Sequence, residues 1–318
     1  MATTETQILD DVISSRRKLI MMLGGTALAG ALLADSPKAD AAALTDTDIL
    51  NFALNLEYLE AQYYTLADSG STIDTLGIGT GAGTSASGGG TVTTKPGGPA
   101  ACKVPFVTTS FASYAQEIAT EERKHVAFLR SALGSSAVAQ PNIDLYNSFN
   151  AAAAAAGIGP SFDPFANEVN FLLGSYIFED VGVTAYHGAA GLISDKSILG
   201  AGVGIHAVEA YHAGLIRTTL WSLDQANTSL GIAATATKIS TLRSTLDGTG
   251  NDDIGLTTTM DNLNGTSGSY QASTIVDADL TNSQGFSRTA AQVLAIVYAN
   301  PAGTPGGFFP NGLNGNIK

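Results

Sequence analysis

Two of the chain's four histidines follow a glutamate by three residues, in Glu122-Arg123-Lys124-His125 and Glu209-Ala210-Tyr211-His212. On a helix that spacing stacks both side chains on one face. Ahead of each pair stand further acids, Glu57 and Glu60 before the first, Glu179 and Asp180 before the second. In chain order this reads Glu, Glu-x-x-His, Glu, Glu-x-x-His, the ligand set of a carboxylate-bridged dinuclear metal site inside a four-helix bundle. A single Glu-x-x-His is an ordinary surface pair or helix staple. Two of them among four histidines, each preceded by a glutamate in register, form a pattern. Four carboxylates facing one another without cations would repel and drive some of their pKa values up. Mixed carboxylate and imidazole donors suit iron or manganese.

The two halves match beyond the motif. Tyr64 follows Glu57 by seven residues, and Tyr186 follows Glu179 by seven. Seven residues are two helical turns less about 20°, so each tyrosine shares its glutamate's face, where it can hydrogen-bond a ligand, supply an electron or simply pack. The same match selects Glu57, not Glu60, as the counterpart of Glu179. Glu57 and Glu122 are 65 residues apart, Glu179 and Glu209 only 30, and the excess of 35 equals the glycine-rich stretch 69–103. With that stretch removed the halves superimpose as a duplicated helix pair. Glu60 and His206, one turn before Glu209, are candidates for extra groups beside the site. His187 and Asp180 follow site residues by one position and so point about 100° away. Cys102, alone, excludes a disulfide framework and a cysteine-based metal site.

Four long helices must position these residues, which makes the fold all-α. Thr45 to Asp48 supply caps for the first, with Ile49, Phe52, Leu56, Leu59 and Tyr63 at helical spacing and Gly70 at its end. The second is predicted from Thr109 to Leu133, stopped by Gly134. Asp163-Pro164 is predicted to open the third, which reaches about Leu192, and Ser194-Asp195 to cap a fourth ending near Leu223. The bundle thus occupies residues 42–228. Residues 69–103, rich in Gly, Ser and Thr, have little to bury and are expected to form a loop or partly disordered excursion. Ala151 to Ala156 read as a connector. Residues 229–318 are expected to be an irregular extension packing on the bundle, with one helix from about Ser287 to Ala299 and with Phe308-Phe309 folded back.

The chain opens with Ser14-Ser15-Arg16-Arg17-Lys18, a mild apolar run to Ala34 interrupted by Gly24, Gly25 and Gly30, and then Ala39-Asp40-Ala41. The run is short and weak for a membrane span, and the whole reads as a twin-arginine signal over residues 1–41, with the general secretory route and an uncleaved anchor as the alternatives. The expectation is export by the twin-arginine translocase to the periplasm or beyond. With 318 residues, 44% of them hydrophobic, the chain can bury a substantial core. Its net charge of −13 argues against nucleic acid as a partner.

The stretches Asp48 to Ala61, Glu122 to Leu129 and Phe178 to Gly182 resemble the ferritin-like-domain proteins grouped with plant desiccation-related proteins and their exported bacterial relatives. Ser287-Arg288-Thr289, Gln292 to Leu294 and Gly306 to Gly315 are also similar to that group. The resemblance spans about residues 45–228, with local motifs over 280–316. It implies a ferritin-like four-helix bundle in which Glu57, Glu122, His125, Glu179, Glu209 and His212 hold two Fe or two Mn ions, iron favoured, without an organic cofactor. Iron would imply oxidase or ferroxidase chemistry on O2, peroxide or Fe(II), and manganese a catalase-like reaction, in oxidative or desiccation stress. The alternative is a non-enzymatic stress-protection or extracytoplasmic structural protein on the same scaffold. The glycine-rich insertion and the tail depart from cage-forming ferritins, so a 24-subunit shell is not expected, whereas a smaller homo-oligomer is compatible.

Overall fold

Thr45 opens α1 (Asp46–Ser69) with a capping box: its hydroxyl accepts from the Asp48 amide, and its own amide donates to the Asp48 carboxylate at 2.9 Å. Gly70, at φ 71°, closes the helix in the left-handed region that favours glycine. The computed structural model describes residues 44–250, 252–261 and 270–318; the export segment expected over residues 1–41 lies outside them. α2 (Thr109–Leu133) runs antiparallel to α1, as three cross-links establish: Arg123 to Thr65 at 3.0 Å, Arg130 to Tyr58 at 2.6 Å and Asn51 to the Ser136 carbonyl at 2.9 Å. After a short α3 (Asn147–Ala155), α4 (Glu168–Ala190) and α5 (Lys196–Ala226) make the second antiparallel pair, and α1 packs on α4. The fold is the helical bundle expected, with one shifted boundary. Asp163-Pro164 lies in the turn before α4, where Asp163 pairs with Lys95 at 2.8 Å. Asn167 is the cap instead, accepting from the Asn170 amide.

Between α1 and α4 the core is aromatic. The fully buried Tyr63 ring has Phe149, Phe165, Phe171 and Phe178 around it at centroid distances of 5.2–5.8 Å. Each such side chain contributes roughly 1.5–3 kcal/mol on burial. α1 is also buried on a second side. Asn51, Asn55, Tyr58, Gln62 and Thr65 form a polar stripe roughly 120° round the helix from Glu57, and every member is bonded to another segment. Asn51 accepts from the Val138 amide at 2.9 Å, Asn55 exchanges bonds with Asn314 at 2.9 and 3.0 Å, and Gln62 donates to Gln140 at 2.7 Å.

Residues 69–103 correct the expectation of a loose loop. They form a folded strap with 3-10 turns at Ile73–Leu76 and Pro99–Cys102, and with β1 (Val92–Thr93) paired in parallel to β2 (Ile143–Asp144). The Arg130 guanidinium holds it, donating to the carbonyls of Gly81, Gly83 and Ser85 at 2.7–2.8 Å as well as to Tyr58. A composition poor in apolar side chains gives little hydrophobic reason to fold. Here a charged donor satisfies the backbone carbonyls instead.

The extension departs further from expectation. α6 (Ile232–Asp247) packs on α4 and α5; the hairpin of β3 (Thr258–Asp261) and β4 (Tyr270–Ser273) follows, and α7 (Ala290–Val297), shorter than expected, packs on α4 and α6. α6 was hidden because its buried positions, Ile232, Ala236, Ile239 and Arg243, are spread among threonines and include a charge. That Arg243 joins a buried ion network. Asp180 accepts from Arg217 and Arg243 at 2.8 Å each, and Asp253 from Arg243 at 2.6 Å and Arg288 at 3.0 Å. Phe308 folds back as expected, onto Phe149 and Phe178. Arg130→Ala tests the strap: its carbonyls lose their donor, so stability in chemical denaturation should fall by about 1–2 kcal/mol. Limited proteolysis should then cut within residues 77–90 while helicity is retained.

Candidate metal centre

Glu57 on α1, Glu122 and His125 on α2, Glu179 on α4, and Glu209 and His212 on α5 converge midway along the bundle, each at most 8% exposed. They form two overlapping groups whose donor atoms lie within 4.8 Å of one another: Glu57, Glu122, His125 and Glu209, and then Glu122, Glu179 and His212. His125 Nδ1 is 3.2 Å from Glu57 Oε2, 3.5 Å from Glu122 Oε2 and 3.6 Å from Glu209 Oε1. His212 Nδ1 is 3.2 Å from Glu122 Oε1 and 3.4 Å from Glu179 Oε2. Glu122 therefore turns one oxygen to each imidazole. None of these approaches has hydrogen-bond geometry: eight atoms of the six residues are buried without a hydrogen-bond partner among the described residues. Native interiors leave few such atoms. Eight converging at one place is the arrangement that metal ions would satisfy, and the donor set suits them.

Surrounding groups hold this cluster. The Tyr64 hydroxyl donates to Glu179 Oε1 and the Tyr186 hydroxyl to Glu57 Oε1. Each tyrosine thus reaches the glutamate of the opposite half, not the one on its own helix. His212 Nε2 lies 2.7 Å from Glu121 Oε2. A carboxylate only accepts, so Nε2 carries the proton and, in the neutral ring, the Nδ1 lone pair is directed to the cluster. Sequence reading missed Glu121; its one signal was its place beside Glu122. Gly182, in the similar stretch Phe178 to Gly182, carries no chemistry of its own. Its reason is contact: a Cβ there would stand 2.2 Å from Glu209 Oε2 and 3.5 Å from Glu60 Oε1.

Glu60 is buried beside the centre but belongs to neither donor group. His206 is not brought to the centre. Three residues before Glu209 leaves it about 60° round the helix, where its half-buried ring lies 6.1 Å from that of His187. Asp180, as expected, points elsewhere, into the arginine network.

Without a cation the cluster must neutralise itself with protons. Burial pushes the Glu57 carboxyl up to about 7, and it raises Glu60, Glu179 and Glu209 as well. Burial would also raise Glu122, but the two imidazoles beside it hold it down at about 2. Burial disfavours charge on His125, yet Glu57 and Glu122 push it up to about 12; His212 is raised by Glu179 and Glu122 in the same way. Gly182→Ala separates site from fold. The clash falls on the far end of a flexible side chain, so the thermal midpoint should stay within a few degrees of wild type, while displacement of the Glu209 carboxylate should lower affinity for Mn(II) at least tenfold in a dye-competition titration.

A family model described as ferritin-like domain matches residues 45–222. Desiccation-related protein PCC13-62 of Craterostigma plantagineum is 30% identical over 225 residues, which cover 67% of this chain and 66% of that protein. The chain thus spans just under two thirds of that relative's length. Ferritin-like catalase Nec2 of Nesocodon mauritianus is 26% identical over 278 residues, 86% of this chain and 84% of that protein. No solved structure gives a significant match.

Proposed function

The chain belongs to the ferritin-like domain family, and from that premise we propose that it is an exported dinuclear iron or manganese protein whose centre reacts with dioxygen, peroxide or Fe(II) in oxidative or desiccation stress. The eight partnerless buried atoms of the Glu/His cluster carry this reading. Glu57, Glu122, His125 and Glu209 would hold one ion and Glu122, Glu179 and His212 the other, with Glu122 shared between them. Iron or manganese there would supply the two-electron redox chemistry that dioxygen and peroxide require. The chain's own part is positioning. Tyr186 and Tyr64 fix Glu57 and Glu179 across the pair boundary, and Glu121 fixes the His212 tautomer.

The relative named a ferritin-like catalase supports peroxide as a reactant, and the one named desiccation-related supports the stress setting. Arg16-Arg17 and the Ala39-Asp40-Ala41 ending support twin-arginine export to the periplasm or beyond. Strap and tail covering α1 support a monomer or small homo-oligomer over a 24-subunit cage.

Elemental analysis of the protein beside a Glu122→Ala/His125→Ala variant tests the centre. About two Fe or Mn per chain are expected, lost in the variant, together with peroxide disproportionation or dioxygen uptake by the wild type alone. No bound redox metal after Fe(II) and Mn(II) are offered would leave only the scaffold. The pH dependence has a definite sign. Raised His125 and His212 hold protons at neutral pH that a cation must displace, and the raised carboxyls add to them, so Mn(II) affinity should climb with pH by about hundredfold per unit at least, the slope for two protons released. A flat profile between pH 6 and 8 would contradict that exchange.

A further inference from the structure

At the end of the bundle where α1 and α5 begin and α2 and α4 finish, the four helices enclose a cavity of about 370 Å³. Phe52, Leu56, Leu129, Ile193, Ile198 and Ile205 contribute to its apolar wall, while Glu57, Glu60 and Tyr186 form its inner end. The cavity therefore opens onto the candidate metal centre. It reaches from Glu60 to Ile49, eleven residues along α1, or about 16 Å at 1.5 Å per residue. Phe128 and Val203, 47% and 50% exposed, stand at the outer part of the lining.

Interiors normally close-pack, with few voids larger than a water molecule. Here small residues keep the space open: Ala53 on α1, Ala132 on α2, Ala185 and Ala189 on α4, and Ala201 and Gly202 on α5 all line it. An apolar cavity of roughly 150 Å³ takes one benzene, so this one has room for about 12–18 non-hydrogen atoms, within the range of small-molecule pockets. Peroxide or a hydrated metal ion is far smaller and would want polar walls along its way. The shape, length and lining fit a different kind of molecule.

We propose that this cavity is a binding site for an elongated apolar organic molecule, its inner end against Glu60 and Tyr186 and its outer end near Phe128 and Val203. Calling that molecule a reactant of the centre rests on the function proposed above; the site itself does not. Its continuity with the carboxylate cluster brings the inner end of that molecule beside Glu57 and Glu60.

The test is calorimetric titration of the full-length, metal-free chain with monomeric straight-chain alcohols of six to fourteen carbons. Saturable binding is expected, tightest near about twelve carbons for a cavity about 16 Å long. Ala53→Phe and Gly202→Leu, which fill the space, should each weaken it at least tenfold; a Cβ at Gly202 would meet the Ile193 side chain at 3.7 Å. Leu199→Ala, which enlarges the cavity, should move the optimum to a longer chain, and circular dichroism confirms that each variant is folded. Absence of saturable binding would overturn the proposal. So would binding that all three substitutions leave unchanged, which would place the alcohol in the second apolar cavity, among Phe149, Ala152 and Leu242, or binding of phospholipid vesicles alone. Mn(II) uptake by the same samples keeps the two readings apart: alcohol binding without metal uptake sustains the pocket and sinks the dinuclear centre, and metal uptake without alcohol binding does the reverse.

Discussion

Six ionisable side chains share one buried place, and eight of their polar atoms have no hydrogen-bond partner among the described residues. Carrying carboxylates out of water is among the costliest things a fold can do. The protein contains its own control for how such a cost is otherwise met. One residue after Glu179, Asp180 is buried just as deeply, at 2% exposed, but Arg217 and Arg243 both reach it at 2.8 Å. Asp253 likewise has Arg243 and Arg288. At Asp180 and Asp253 arginine meets the charge. Around Glu57, Glu122, Glu179 and Glu209 the chain supplies two histidines and no arginine, and it leaves the facing atoms free. That contrast, across a single peptide bond, is the strongest physical reason to expect cations at the centre.

The scaffold around the cluster has near two-fold logic and one deliberate break in it. Tyr64 to Glu179 and Tyr186 to Glu57 are mirror events, each tying one helix pair to the other. The break comes three residues after each of these glutamates. The first half has Glu60 there and the second Gly182. A side chain at 182 would meet both Glu209 and Glu60, so the glycine makes room for the carboxyl groups. The two faces of the centre are made unequal by that exchange, since Glu60 lines the apolar cavity and its counterpart position lines it only with backbone.

What could be read from the chain alone was what lies on one helix. Glu122 with His125, Glu209 with His212, and each glutamate with its tyrosine are local spacings, and the helix period converts them directly into shared faces. What could not be read required a second segment. That Tyr64 and Tyr186 would cross to the other half depends on how the pairs dock. Glu121 is visible as a partner only once α5 brings His212 beside it. The stripe Asn51, Asn55, Tyr58, Gln62 and Thr65 would pass for a solvent-facing side of α1, yet Gln140, Arg130 and Asn314 cover it. The same limitation hid α6, whose buried Arg243 is apolar by neither composition nor pattern, and made the glycine-rich strap look unstructured.

These second-segment features decide how the centre meets its surroundings. On α1 the strap and tail occupy the polar stripe, and on α4 the helices α6 and α7 occupy the outer side. Two sides of the bundle are thereby closed by additional chain. The remaining approaches differ in kind. Towards the beginning of α1 lies the apolar cavity, suited to dioxygen or to an organic molecule. Between α2 and α5, His212 is backed by Glu121, whose side chain is 35% exposed. A carboxylate at the surface beside a buried imidazole suits cations and protons, which an apolar passage would repel. A centre holding metal ions and reacting with a neutral molecule, as proposed, would need both kinds of approach, and the apolar cavity and the Glu121 side lie on separate faces.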